Sequence, residues 1–182
     1  MLFSRFVEDS PRVQCVEIHA DCESSNLEIY SYKDLMMQIA VPFESLPSER
    51  RVALIPDAAK KLVRAGLDIH IESGAGVRSG YADADYEAVG AHIQADQNTL
   101  LASADIVLRV RKPSLEDIAK LKSGAIHISY LDPYNEAGLV DALAAANITA
   151  ISMEMIPRTT RAQKMDALSS QANLAGYVMV IL

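Results

Sequence analysis

The 182-residue sequence lacks any apolar run of the roughly 18 residues that a transmembrane helix needs. Its first residues also lack a charged start followed by an apolar block, which is the pattern of a secretion signal. The only two cysteines, Cys15 and Cys22, have no Cys or His set around them that would complete a zinc site. These absences predict a cytoplasmic chain without a membrane span and with free thiols.

Positive charge is also scarce. Lys and Arg number 17 against 24 Asp and Glu, so the formal net charge is -7. Such a chain would repel a phosphate backbone, which argues against nucleic acid as a partner. Half of the residues are hydrophobic, enough to bury the core of one domain.

From Met37 onward, short runs rich in Val and Ile alternate with segments of helical period. This alternation predicts βαβ units. We expect a three-layer α/β domain, Rossmann-like or flavodoxin-like, with a mostly parallel sheet of about five strands. The predicted strands are 38–41, 67–72, 105–110, 125–131 and 148–153. The predicted helices are 57–65, 83–89, 115–121, 136–145 and a last one from about Asp166 onward, with one buried face.

Residues 1–36 differ from the rest, with seven acidic and three basic residues and no clear period. We expect them to be an extension that is either disordered or placed before the true start, since Met36 and Met37 stand directly before the first strand. The domain itself is expected to span residues 37–182.

The glycine-rich run 74–80 follows a predicted strand, as a dinucleotide-binding loop would. Three residues separate its second and third glycines, where the dinucleotide fingerprint has two, so we interpret the run as a plain turn. The histidines are not at metal-ligand spacing, and no metal site is expected. His70 and His127 alternate with isoleucines in predicted strands and should lie on the opposite strand face from them.

Two polar stretches follow predicted strands. Arg50 and Arg51 lie in the loop after the first strand, where a guanidinium group either holds a carboxylate or phosphate or is simply solvated. The stretch 154–177 follows the fifth strand and offers guanidinium, amide, carboxylate and hydroxyl groups, which suit a ligand with a carboxamide. The alternative is that Asp166 merely caps the following helix, with serines in its first turn.

The stretch from Arg158 to Tyr177 resembles the loop and helix of the NAD-binding alpha subunit of proton-translocating NAD(P) transhydrogenases, through the pattern Pro-Arg-x-x-Arg-Ala-Gln-x-x-Asp-x-Leu-Ser-Ser. The similarity extends over residues 37 to about 177, including Arg51-Val52-Ala53, the glycine turn, Val110-Arg111-Lys112-Pro113 and Asp132-Pro133. The resemblance implies that the nicotinamide end of NAD(H) contacts four side chains: Arg158, Gln163, Asp166 and Ser169.

Alanine dehydrogenases share this N-terminal architecture and are the nearest alternative. Their substrate pocket has an arginine at the position of Arg51, a lysine where this chain has Arg111, and a histidine where it has Asp132. The lost imidazole and amine are the groups that would move protons on a 2-oxoacid or imine, whereas transhydrogenation needs only hydride transfer between nicotinamides. These departures favour the transhydrogenase.

The resemblance therefore implies hydride transfer between NADH and NADP⁺, with NADP(H) bound by a separate component and a membrane component that couples the transfer to proton translocation. Such a subunit would be cytoplasmic and peripheral to the inner membrane. The chain is expected to be truncated before the NAD-binding Rossmann domain and to be inactive by itself. A non-catalytic remnant that only dimerises or binds a partner is the remaining alternative.

Overall fold

The computed structural model describes residues 37–181, so the predicted extension 1–36 lies outside the described residues. Within the described range, six short strands form one sheet. They are β1 (Gln38–Val41), β2 (Asp68–Glu72), β3 (His92–Gln94), β4 (Ile106–Leu108), β5 (Ile126–Ser129) and β6 (Thr149–Ser152). Their order is β3-β2-β1-β4-β5-β6, and each neighbouring pair is parallel. This is the Rossmann order rather than the flavodoxin order, and it confirms the predicted α/β class.

Between residues 37 and 181, six α-helices connect and follow the strands. They are α1 (Pro56–Arg64), α2 (Asp83–Glu87), α3 (Gln97–Ser103), α4 (Leu115–Lys120), α5 (Ala137–Ala145) and α6 (Ala167–Ile181). Local signals set several of their ends. Pro56 opens α1, and Gly66 follows it with a φ of 86°. The Ser114 hydroxyl caps α4 by accepting a hydrogen bond of 3.1 Å from the backbone N–H of Asp117.

β3 and α3 are not predicted by the sequence patterns. β3 is an edge strand of three residues, His92, Ile93 and Gln94, and it offers too few positions to show an alternation. α3 is capped by Asp96, whose carboxylate accepts hydrogen bonds from the backbone N–H groups of Asn98 and Thr99. It has no flanking Pro or Gly to mark its ends.

Helices cover both faces of the sheet and bury two different sets of strand residues. On one face, alternate residues of β1 and β2 pack with α1 and α2, and this cluster includes Ile39, Val41, Ile69, Ile71, Leu54, Ala59 and Tyr86. On the other face, Ala40 and Val107 pack against α3 through Leu100, Leu101 and Ala104. The period-two alternation of the strands is what allows one sheet to serve both clusters.

Helix α6 does not follow the prediction of one buried face, because none of its residues is buried within the described chain. Leu168 and Leu174 are each 59% exposed. Helix α6 contacts the 3-10 turn Met153–Met155. No helix among residues 37–181 is both long and apolar enough to cross a membrane.

Candidate functional site

A cavity of about 610 Å³ lies where the loops after β1, β4, β5 and β6 meet. All of these loops leave the carboxyl ends of parallel strands, so the strand order brings them to one edge of the sheet. β1 and β4 are neighbours in the sheet although their connections run to opposite sides, which makes this edge the topological switch point where open α/β sheets bind ligands. The polar lining includes Arg51, Arg111, Tyr130, Asp132, Arg158 and Asp166.

On one wall of the cavity, a buried carboxylate holds two arginines. Glu49 is 4% exposed and accepts hydrogen bonds from Nε and Nη2 of Arg51, both at 2.7 Å, and from Nε of Arg111 at 2.8 Å. The Arg51 contact lowers the pKa of Glu49 to about 2, against the opposing effect of burial and with a further contribution from Arg111. The carboxylate is therefore ionised at any physiological pH.

A second buried carboxylate fastens the backbone behind these arginines. Glu44 is 6% exposed, and its carboxylate accepts hydrogen bonds from the backbone N–H of Val110 at 2.6 Å and of Arg111 at 3.3 Å. The loop after β1 is thus tied to the end of β4 by main-chain as well as side-chain contacts. Charged hydrogen bonds of this kind are among the stronger ones in proteins.

The opposite wall comes from the segment after β6. Asp166 caps α6, since its carboxylate accepts hydrogen bonds from the backbone N–H of Leu168 at 3.0 Å and of Ser169 at 3.2 Å. The Ser169 hydroxyl donates a further bond to it at 2.5 Å. These bonds, chiefly the hydroxyl of Ser169, lower the pKa of Asp166, and the charge of Arg158 adds to the effect. The capping interpretation of Asp166 is correct, and the same residue also lines the cavity.

Only two of the four residues implicated by resemblance line the cavity. Arg158 and Asp166 line the cavity. Gln163 is exposed and begins the 3-10 turn Gln163–Met165, outside the set of lining residues, and Ser169 is engaged with Asp166. Contact of these side chains with a nucleotide stays a prediction.

The three positions compared with the alanine dehydrogenase substrate pocket, namely Arg51, which is shared, and Arg111 and Asp132, which differ, all line the cavity. Asp132 has a φ of 53°, and its backbone N–H donates a short hydrogen bond to Glu154. No histidine lines this cavity, and among residues 37–181 no group of three or more His, Cys, Asp or Glu could hold a metal ion. In the part of the chain that the structure describes, the site offers donors and acceptors but no imidazole acid or base.

Three residues of this region, namely Glu44, Glu49 and Tyr130, were not singled out from the sequence. Tyr130 and Gln171 line the cavity, and the guanidinium of Arg51 lies 6.0 Å from the centre of the Tyr130 ring. Tyr130 stands directly after β5 at the binding edge, which was a usable signal. The two glutamates gave a weaker signal, because Glu44 bonds to Val110 and Glu49 to Arg111 across more than sixty residues, although Glu49 also pairs with the nearby Arg51.

Comparisons with known proteins agree with this geometry. The family model described as alanine dehydrogenase/PNT, N-terminal domain, matches residues 40–175. The chain is 42% identical over 150 residues to an NAD(P) transhydrogenase subunit alpha protein of Rhodospirillum rubrum, and the match covers 80% of this chain and 39% of that protein. It is 36% identical over 144 residues to alanine dehydrogenase of Halomonas elongata, covering 79% and 38%.

A solved structure of transhydrogenase from Sinorhizobium meliloti superposes with a TM-score of 0.75 at 44% identity, and the match covers 79% of this chain and 43% of that one. The chain therefore spans about two fifths of the length of these relatives. The sheet order, the cavity at its carboxyl edge and the match over residues 40–175 lead to one conclusion: the chain belongs to the alanine dehydrogenase/PNT N-terminal domain family.

Proposed function

We propose that this chain belongs to the NAD(H)-side subunit of an NAD(P) transhydrogenase, and that its cavity holds the nicotinamide end of NAD(H). In that role, hydride passes between NADH and NADP⁺, with NADP(H) on a partner component and a membrane component that couples the transfer to proton translocation. The relatives named transhydrogenase subunit alpha support such partners.

One observation carries the proposal: the cavity combines guanidinium donors and carboxylate acceptors without an imidazole. A nicotinamide carboxamide has one acceptor oxygen and two N–H donors, so this donor set fits it. A volume of about 610 Å³ also lies within the usual range for small-molecule sites. The nicotinamide supplies the hydride, and the residues of this chain orient the ring and exclude water.

The test is a hybrid in which residues 37–177 replace the matching segment of an intact transhydrogenase alpha subunit, assayed with the NADP(H)-binding component. We expect Gln163→Ala and Asp166→Ala to lower the transfer rate by up to about a hundredfold, because the reaction depends on ring orientation. Asn173→Ala and Asp141→Ala are the matched controls, since both side chains are exposed and outside the cavity lining. Both controls should retain the parental rate.

An active parent hybrid whose rate is unchanged in both test variants would refute the nicotinamide contact of this loop. The same hybrid separates the alternative enzyme. We expect no alanine-dependent reduction of NAD⁺, because Arg111 and Asp132 stand inside the cavity where alanine dehydrogenases have lysine and histidine. Alanine-dependent activity would favour that family member instead.

A further inference from the structure

We propose that Glu49 is a positioning residue, which holds the guanidinium groups of Arg51 and Arg111 side by side as one fixed donor surface on the cavity wall. This inference rests on the proposed function for its ligand, the nicotinamide end of NAD(H). The claim that Glu49 holds the two arginines depends only on contacts between side chains of this chain.

The contacts show how one carboxylate serves both arginines. Oε2 of Glu49 accepts from Nη2 of Arg51 at 2.7 Å and from Nε of Arg111 at 2.8 Å, while Oε1 accepts from Nε of Arg51 at 2.7 Å. The Arg51 contact is bidentate, which fixes the plane of its guanidinium group. Arg111 uses only Nε in this contact, which leaves its two Nη groups outside it.

Burial differs sharply across the ion pairs. The side chain of Glu49 is 4% exposed, whereas those of Arg51 and Arg111 are 43% and 52% exposed, and both arginines line the cavity. Burying the Glu49 carboxylate this deeply without partners would be unfavourable. Conformations in which Arg51 and Arg111 leave it are therefore disfavoured. Glu49 is thus the buried, fixed partner, and the exposed guanidinium groups of Arg51 and Arg111 form the donor surface of the cavity wall.

The backbone beneath the arginines is also held. Glu44 accepts hydrogen bonds from the N–H groups of Val110 and Arg111, and Arg78 donates to the carbonyl oxygens of Glu44 and Leu46 at 3.2 and 3.1 Å. These contacts restrain both loops from which the arginines project. Such preorganisation favours binding, because less side-chain freedom is lost when a ligand arrives.

The pairing also sets the charge of the donor surface. The negative charge of Glu49 offsets part of the positive charge of Arg51 and Arg111, so this wall offers N–H donors with less positive charge than two unpaired arginines would have. A neutral carboxamide oxygen suits such a wall, since it needs donors rather than a counter-ion.

The test uses the full 182-residue chain labelled with ¹⁵N, with Arg51→Lys and Arg111→Lys to assign the Nε–Hε signals. We expect both signals to exchange with water about tenfold or more slowly than that of the exposed Arg64, and to lose this protection in Glu49→Gln. Glu136→Gln, at an exposed ion pair with Lys112, should leave both signals unchanged. Exchange in the unmodified chain as fast as at Arg64 would overturn the proposal without any variant at Glu49.

Addition of NADH tests the positioning role of Glu49 and the identity of the ligand separately. We expect NADH to shift the Arg51 and Arg111 signals, and Glu49→Gln, checked for folding by its thermal transition, to reduce that shift about threefold at fixed NADH. Glu49→Asp, which keeps the charge, should lie between the two. Equal NADH responses in the parent and a folded Glu49→Gln would reduce Glu49 to a structural ion pair. Slow exchange with no NADH response at all would instead refute the proposed ligand and leave the positioning role intact.

Discussion

At the scale of single residues, His127 is the side chain whose burial has the clearest chemical consequence. It is 1% exposed, its Nε2 lies 3.1 Å from the Ser129 hydroxyl, and its Nδ1 has no hydrogen-bond partner among the described residues. Burial, and then the charge of Arg109, lower the pKa of His127 to about 4, while Asp117 opposes the shift. Those two charged groups come from the end of β4 and from α4, the elements next to it.

We predict that His127 destabilises the fold in mild acid. Below pH 6.5 the unfolded chain takes up a proton on this histidine, whereas the folded chain does not do so until the pH approaches 4. Stability is therefore full above pH 6.5 and falls as the pH drops, by about 2 kcal/mol between pH 7 and pH 5. Urea unfolding at the two pH values measures this difference.

The matched control is His127→Gln, which removes the titrating ring and retains an amide donor for Ser129. Other groups also titrate in this range, so the quantity to compare is the pH dependence of the parent minus that of the variant. An identical pH dependence in both proteins would contradict the buried, uncharged histidine.

At the scale of elements, the turn after β2 explains why its glycines resemble a nucleotide-binding loop without being one. Gly74 and Gly80 have φ angles of 78° and 85°, which favour glycine. The backbone N–H of Gly74 donates to the carboxylate of Asp83 at 2.8 Å, and the Ser73 hydroxyl donates to the same group at 2.7 Å. The Asp83 carboxylate thus occupies the backbone N–H of Gly74 in this turn, which supports the interpretation of a plain turn.

Gly76 in this turn has no room for a side chain. A Cβ there would lie 2.7 Å from Cε2 of the buried Tyr86 and 2.9 Å from the backbone oxygen of Tyr81. We predict that Gly76→Ala lowers the free energy of unfolding by about 1–3 kcal/mol through overpacking. Gly138→Ala, in α5 with no atom within 4 Å of the new Cβ, should instead raise it by up to about 1 kcal/mol. Equal effects in urea unfolding would contradict the close contact.

Helix α6 is an element of 15 residues without a charged side chain, and its large apolar residues are exposed. Such a surface favours self-association. We predict that Leu174→Gln with Val178→Gln changes the free energy of unfolding by no more than about 0.5 kcal/mol and lowers the apparent mass in sedimentation experiments. Leu143→Gln, at a buried position of α5, is the contrasting control and should destabilise the fold. An unchanged mass distribution would show that α6 does not mediate association.

At the scale of the whole molecule, the candidate site is the cavity at the carboxyl edge of the sheet, which is proposed to hold the nicotinamide end of NAD(H). We predict that the 182-residue chain binds NADH no more tightly than roughly millimolar, because the proposed site would contact the nicotinamide end only. Titration calorimetry, supported by NMR for weak binding, provides the measurement. Micromolar affinity would mean that adenine or pyrophosphate contacts lie within this chain and that the cavity is assigned to the wrong end of the ligand.

Much of this architecture follows from sequence signals that act over a few residues. The first strand is predicted at its observed bounds, Gln38–Val41, because apolar alternation is a local property. Four further strands and five helices lie where the period, Pro and Gly positions indicate, with ends that differ by at most two residues. The loop after β6 was also identified from sequence, since its polar residues directly follow a strand end.

Other features depend on which strands become neighbours. β1 and β4 are adjacent in the sheet although about 65 residues separate them, and only this adjacency brings Glu44 and Glu49 to Val110 and Arg111. The burial of His127 likewise depends on which sheet face is covered, since alternation assigns side chains to two faces but does not say which one packs. Local pattern therefore determined the elements and their order along the chain. Packing between distant segments decided the strand order, the arginine pair and the shape of the cavity, because those contacts have no periodic trace in the sequence.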